Sequence, residues 1–349
     1  MRQVGVLVVG AGQAGLGTAY WLRRLGSGDV LVVDRAPVGQ SWLDRWDSLR
    51  LFTPRRFNRL PGRPFPRGPG RSPTREEMAA YLQDYAAHLG VPVETGVQVR
   101  RLRRSAGQFT ADTSAGPVRA RQVVVATGPF SRPHVPPAAA GLDPAVTQLH
   151  SADYRRPGDV PPGPVLVVGG GNSAAQLAVE LAATHPVTVA APREPWFLPE
   201  TVLGVSVYWP LWLTGVLDSP STSRVSRRVQ QRGDVLVGTP LRRLVRAGRV
   251  ALVTSRVVGA RSSRVTLADG RELPVSTVLW CTGYRPDTSW LDVPGALDAD
   301  GVPVHAAGVS PVPGLHWMGL PWQTRLSSSI VHGVDGDARR TARRILAAG

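Results

Sequence analysis

"VLVVGAGQAGLGTAYWLRRLG", residues 6–26, decides the reading of this chain. A continuous apolar run meets a glycine turn, and apolar residues then recur at helical spacing as far as Gly26, a residue suited to ending a helix. Gly10, Gly12 and Gly15 fall at the offsets of GxGxxG, with Gln13 and Ala14 between the last two. "DVLVVDR" follows, a second short apolar strand closed by Asp34 and Arg35. Strand, glycine turn, helix and strand-terminal acid together predict a dinucleotide-binding unit. The glycines let the backbone close on a pyrophosphate, the helix N-terminus attracts its charge, and the acid accepts hydrogen bonds from a ribose.

The pattern returns in "PVLVVGGGNSAAQLAVELAATHPVTVAAPRE", residues 164–194. Gly169, Gly171 and Ala174 take the same offsets, with Asn172 and Ser173 between the last two. The strand end differs: Arg193 stands 24 residues after Gly169, where Asp34 stands 24 after Gly10. A carboxylate there accepts from a free 2′-hydroxyl and repels a 2′-phosphate, whereas a guanidinium favours the phosphate. The first unit therefore suits the adenosine half of FAD and the second suits NADPH. Residues 171–175 also resemble the nucleophile elbow of a hydrolase. Against that, the first unit repeats the turn without a serine and no oxyanion-type glycine run precedes the second.

Two further strands end in small turns, "ARQVVVATGPF" at Ala126-Thr127-Gly128 and "VSTVLWCTGYRPD" at Cys281-Thr282-Gly283. Each follows a glycine fingerprint and lies at the carboxyl end of a strand, where ligands sit in open α/β sheets. The expected fold is α/β with two nested Rossmann-like units. Residues 1–156 and 283–349 would form the FAD-binding domain, and 157–282 the NADPH-binding domain.

Composition narrows the function. With 349 residues and 42% hydrophobic content, two domains are expected. The net charge is +16, yet all 41 basic residues are arginine and they are scattered rather than striped, which speaks against a nucleic-acid partner. The single cysteine, Cys281, excludes an internal disulfide, a CxxC pair and a cysteine-based zinc cluster, so no metal site is expected. No cationic leader precedes the first strand, and a cytoplasmic location is expected. The longest apolar run, "VLGVSVYWPLWLTGVL" at 202–217, carries Pro210 and falls short of the ~20 residues that span a bilayer, so no transmembrane segment is predicted. It reads as a lid or a buried hairpin. Monomer and homodimer both stay open.

The motifs above, with "SWLDRWDSLRLFTPRRFNRLPGRPFP", "LHSADYR" and "VPGLHWMGLPWQTRLSSSIVHGVDGDA", make the chain resemble the class B flavoprotein monooxygenases. These comprise flavin-containing monooxygenases, plant YUCCA-type enzymes and their bacterial relatives. The resemblance runs nearly end to end. It implies that residues 39–57 fold over the isoalloxazine, with Gln40, Ser41, Trp42, Leu51, Phe52 and Thr53 around the ring and ribityl chain. Arg45, Arg50, Arg55 and Arg56 would then meet phosphates or solvent, and Val99 and Gln323 would also touch cofactor. It further implies that NADPH reduces FAD, that reduced flavin and O₂ form a C4a-(hydro)peroxide, and that one oxygen atom passes to a small organic substrate. No catalytic acid or base is assigned. An NADPH-dependent flavin reductase or oxidase without oxygen transfer, and a flavin-binding redox sensor without turnover, are the alternatives.

Three departures from the family pattern stand out. The identifying motif places an aromatic and a glycine six and four positions before its histidine, whereas His150 follows Pro144 and Val146. The asparagine near the flavin C4a position aligns with Pro54. A glycine-aspartate offered to the ribityl chain is replaced by "MGLPWQ", residues 318–323. Ser327 to Ser329 are expected to cap a C-terminal helix aimed at the flavin N1/O2 edge. Tyr208, Trp209 and Trp212 are expected as cover, core or dimer contact.

Overall fold

A computed structural model describes residues 1–233 and 235–348. Its β-branched runs form parallel strands buried on both faces, as such runs require. The first sheet has eight strands. In spatial order, seven of them are Leu291–Asp292, Val99–Ser105, Gln108–Thr113, Gly116–Val125, Arg2–Val9, Val30–Asp34 and Val93–Thr95, and Leu315–Trp317 pairs with the end of Gly116–Val125. Alternation along Arg2–Val9 splits its side chains between two cores. Val6 and Val8 pack under the helices Gln13–Arg24, Arg75–Ala87 and Val334–Ala347; Leu7 and Val9 pack with Leu102, Phe109 and Trp317 on the opposite face.

The second sheet has five parallel strands in the order Val250–Thr254, Val187–Ala191, Val165–Val168, Thr277–Trp280 and Thr147–His150. Its two faces pack against the helix Asn172–Leu181 and against the small sheet of residues 257–274. The expected α/β architecture with two Rossmann-type units is present. The boundary differs from expectation: Thr147–His150 pairs with Thr277–Trp280, so the second sheet recruits chain from before residue 157. Four residues are too short for hydrophobic periodicity to reveal which sheet they join.

The chain passes between the sheets twice, and the crossings pair with each other. Arg132 and Pro133 run antiparallel to Arg285 and Tyr284, forming a two-stranded ribbon. A third tie comes from an insert between Ala191 and Val250. It holds the hairpin Thr201–Val202/Val205–Ser206, the helix Tyr208–Leu213 and the helix Arg224–Arg232. Residues 217–221 then bond to the C-terminal stretch: Leu326 N donates to Ser219 O (3.0 Å), Ser327 N to Leu217 O (3.1 Å) and Ser221 N to Thr324 O (2.9 Å). Among the described residues, no helix is long and apolar enough to cross a membrane, and no cluster of three metal-ligating side chains occurs.

Candidate cofactor and active site

The three glycines of the first turn do different work. Gly10 has φ +110°, and a Cβ on it would lie 2.5 Å from the Ala126 carbonyl oxygen. A Cβ on Gly15 would lie 1.8 Å from the Gly10 oxygen. Both hold the fold together. Gly12, the N-cap of Gln13–Arg24, is extended, and a Cβ there would meet nothing within 4 Å. No side chain caps this helix, so its first amides are left to face that open space. Open backbone and uncapped amides fit a pyrophosphate.

Beside the turn lies a cleft of about 250 Å³ whose lining includes Gly10, Asp34, Arg35, Val99 and Thr127. Asp34 also braces the turn, accepting from Ala11 N at 2.7 Å and Ala36 N at 3.0 Å. Gln98, Arg100, Ser131, Asp287 and Trp290 complete the wall. The sequence carried no signal for these, because three of them come from loops far along the chain. Gly319 abuts the helix start, where a Cβ would lie 2.8 Å from Ala14 Cβ. Gln323, expected at the cofactor, is buried, and its Oε1 accepts from Leu320 N at 3.2 Å. Its amide oxygen closes its own loop.

The second turn is built alike. A Cβ on Gly169 (φ +145°) would lie 2.4 Å from the Cys281 oxygen, the counterpart of Gly10 against Ala126. The two strand-end tripeptides are thus the surfaces on which the fingerprint glycines press. Gly128 and Gly283 turn the chain away with φ of +73° and +81°. Thr282 is committed to the ribbon through a hydrogen bond to His134 O, and burial pushes the Cys281 thiol up, away from thiolate chemistry. Gly171 caps Asn172–Leu181, again with no side-chain cap. Asn172 is a structural tie, since Nδ2 donates to Val235 O (3.0 Å) and Oδ1 accepts from Val237 N (3.1 Å). Ser173 is half-buried in the first helical turn, and Arg193 is exposed with Nη1 donating to Gln231 O at 2.5 Å.

Most of the side chains of residues 39–57 named for the cofactor have partners within the chain. Trp42 is half-buried between the cores of both sheets, while Leu51 belongs to the core of the first. Thr53 is locked to a buried asparagine: its hydroxyl donates to Asn58 Oδ1 (2.6 Å), and Asn58 Nδ2 returns to Thr53 O and Pro54 O (3.0 Å each). Leu51 and Thr53 are therefore taken up by packing. Phe52 packs toward the insert, Gln40 donates to Asp44 (2.7 Å) and Ser41 is exposed. Nor do the arginines wait for phosphates. Arg55 Nη2 donates to both Glu77 carboxylate oxygens (2.7 and 2.8 Å), Arg56 lies over the Trp209 ring (5.5 Å), and Arg45 bonds to the Tyr284 hydroxyl with its guanidinium 4.9 Å from that ring. The close spacing of aromatic and cationic residues here serves to fasten the loop to the ribbon and the insert.

His150 reaches the ribbon despite its incomplete motif. Nε2 donates to Gly283 O (3.0 Å), Nδ1 accepts from Ala152 N (3.1 Å), and the ring stands edge-on to Tyr284 at 4.9 Å. Burial lowers its pKa, and the neutral tautomer with the proton on Nε2 satisfies both partners. The expected serine cap is corrected. Val334–Ala347 begins at Gly333 with no side-chain cap, after two 3-10 turns, and Ser328 Oγ instead accepts from Thr324 N and Arg325 N. Gly333 is pressed against Ser327 O, where a Cβ would lie at 2.1 Å, so the serines pack behind the helix start. Over this region Phe57 meets Tyr208 (5.7 Å), Trp209 (5.4 Å) and His332 (5.4 Å), an aromatic cover that joins insert, loop and C-terminal segment.

A duplicated turn of this geometry has a family match: residues 7–208 fit the pyridine nucleotide-disulphide oxidoreductase family. The chain belongs to that family. The "uncharacterized oxidoreductase CzcO-like" of Geobacillus kaustophilus is 37% identical over 98% of both chains. An indole-3-pyruvate monooxygenase of Oryza sativa, YUCCA1, is 29% identical over 84% of this chain and 80% of its own. The structure of a flavin-containing monooxygenase from Stenotrophomonas maltophilia superposes with a TM-score of 0.82 at 30% identity, over 99% of each chain. These matches set the chain among the class B flavoprotein monooxygenase-like members, as a flavin-dependent oxidoreductase. The family's disulfide chemistry has no thiol pair here, because Cys281 is the only cysteine.

Proposed function

We propose that the protein is an NADPH- and FAD-dependent monooxygenase that inserts one oxygen atom from O₂ into a small organic substrate. The observation that carries this reading is the duplicated glycine turn with opposite charges at the two strand ends, Asp34 and Arg193. The first turn would hold the FAD pyrophosphate at Gly12, with Asp34 at the ribose. The second would hold that of NADPH at Gly171, with Arg193 at the 2′-phosphate. Bound flavin supplies the electron and oxygen chemistry. The chain's own part is to orient the two cofactors and keep water away, a task suited to the aromatic cover of Phe57, Tyr208 and Trp209. Similarity to a flavin-containing monooxygenase and to a YUCCA enzyme supports the reading.

The test is NADPH consumption by the flavin-loaded protein against amines, thioethers, ketones and α-keto acids, with product mass and peroxide measured together. Oxygenated product matching the NADPH consumed supports the reading. Peroxide without product across the whole panel overturns it in favour of an oxidase or reductase.

A further inference from the structure

We propose that the insert docks the protein on an anionic lipid surface through its hairpin tip and the helix behind it. This inference does not rest on the monooxygenase reading. Leu203 is 98% exposed and Leu213 74% exposed, with Val202, Val205 and Trp212 also open to solvent around them. No charged residue occurs from Thr201 to Leu217, although charged residues make up 19% of the chain. Exposed apolar patches of this kind mark interaction sites.

Backbone strain sharpens the point. Leu203 and Gly204 form the two-residue turn of the hairpin with φ of +49° and +78°. Asparagine or aspartate favours the first position of such a turn, and leucine is poorly suited to it. The residue is thus unfavourable both in solvent and in its backbone, and among the described residues its side chain is left 98% exposed.

Charge selects the occupant. Arg71 reaches the Gly204 oxygen (3.5 Å) and Arg56 lies over Trp209, whose ring meets Trp212 at 5.9 Å. Arg224, Arg227 and Arg228 stand exposed on the helix that follows. An apolar tip with tryptophan behind it and the Arg56 and Arg71 guanidiniums against it, with the acid Glu200 at its base, matches acyl chains below and anionic headgroups above. A second copy of this chain fits less well. A two-fold contact would bring two copies of the same arginine-bordered patch together in a protein of net charge +16.

The test is co-sedimentation of the flavin-loaded protein with phosphatidylcholine vesicles, with and without phosphatidylglycerol. Wild type should sediment with the phosphatidylglycerol vesicles and release as salt rises. The double variant Leu203→Asp, Leu213→Asp should bind roughly tenfold or more weakly, because two leucines no longer enter the acyl region. Aspartate tolerates the turn conformation, and an unchanged thermal midpoint checks the fold. Val258→Asp adds one such carboxylate at a residue 60% exposed on the small sheet, and the matched single variant Leu203→Asp should weaken binding where Val258→Asp leaves it as it was. The proposal falls if wild type ignores phosphatidylglycerol vesicles, or if Val258→Asp weakens binding as much as Leu203→Asp. It also falls if wild type is a dimer that the double variant dissociates, for then a second copy is the occupant.

Discussion

At the scale of the residue, Gly12 separates folding from cofactor binding. A Cβ there would meet nothing within 4 Å among the described residues, so Gly12→Val should fold with little loss of stability and purify without flavin. Stoichiometric flavin in the folded variant, read from absorbance, would refute the pyrophosphate assignment. Gly15 has no such freedom, because a side chain there meets the Gly10 carbonyl. Arg193 carries the second residue-scale prediction. A hydrogen bond to a charged group contributes about 1.5–3 kcal/mol, so Arg193→Ala should weaken NADPH affinity roughly 10- to 150-fold and leave NADH affinity unchanged. Equal effects on both nucleotides would place the 2′-phosphate elsewhere. The glycine geometry of both turns was legible in sequence because neighbours along the chain set it. Leu51, Thr53, Asn172 and Gln323 were not, since their partners lie on other segments or are backbone atoms of a folded loop.

At the scale of the element, strands and long helices announced themselves by periodicity, and the irregular pieces did not. The run at 202–217 reads as one apolar block, yet it folds as all but the first residue of a strained hairpin followed by the helix Tyr208–Leu213. Apolar content alone cannot tell a buried segment from one held out in solvent. The turn yields a prediction about stability. Leu203→Asn places a residue that accepts positive φ before Gly204 and removes exposed leucine, so unfolding free energy should rise by about 0.5–1 kcal/mol. Urea denaturation of the two proteins measures it. A loss of stability would mean that the leucine makes a contact in solution that its exposure does not reveal. The serines at 327–329 show the converse limit. Residue type pointed to a cap, but the helix start was moved beyond them by two 3-10 turns and the close packing of Gly333 on Ser327.

At the scale of the whole molecule, acid should weaken the joint between the central strand and the C-terminal helix. His316 is buried, bonded through Nε2 to Gln122 Oε1 (3.0 Å), and Gln122 Nε2 in turn holds Ile345 O (2.8 Å). Burial first, then the nearby Arg344 charge, brings the His316 pKa down to about 4. The unfolded chain, with an ordinary value near 6.5, takes up this proton first. Stability is therefore full above pH ~6.5 and falls by about 3 kcal/mol as pH drops toward 4. His316→Phe should flatten that part of the pH profile, while lowering stability near pH 7 because Gln122 Oε1 loses its donor. Parallel profiles for the two proteins would show that the proton goes elsewhere.

The pairing of residues 217–221 with 324–327 also fixes an order of events during synthesis. All five strands of the second sheet have left the ribosome once Trp280 has emerged, whereas the first sheet still awaits Leu291–Asp292 and Leu315–Trp317, and the C-terminal helix comes later still. The inner unit can thus close while the outer one is open. From the emergence of residues 217–221 to that of 324–327, about a hundred residues of translation at ~5–20 residues per second, the insert has no C-terminal stretch to pair with and Phe57 has no His332 to meet. For several seconds the nascent chain leaves residues 217–221 and the Phe57 ring uncovered, which puts the insert within reach of a chaperone that binds apolar segments.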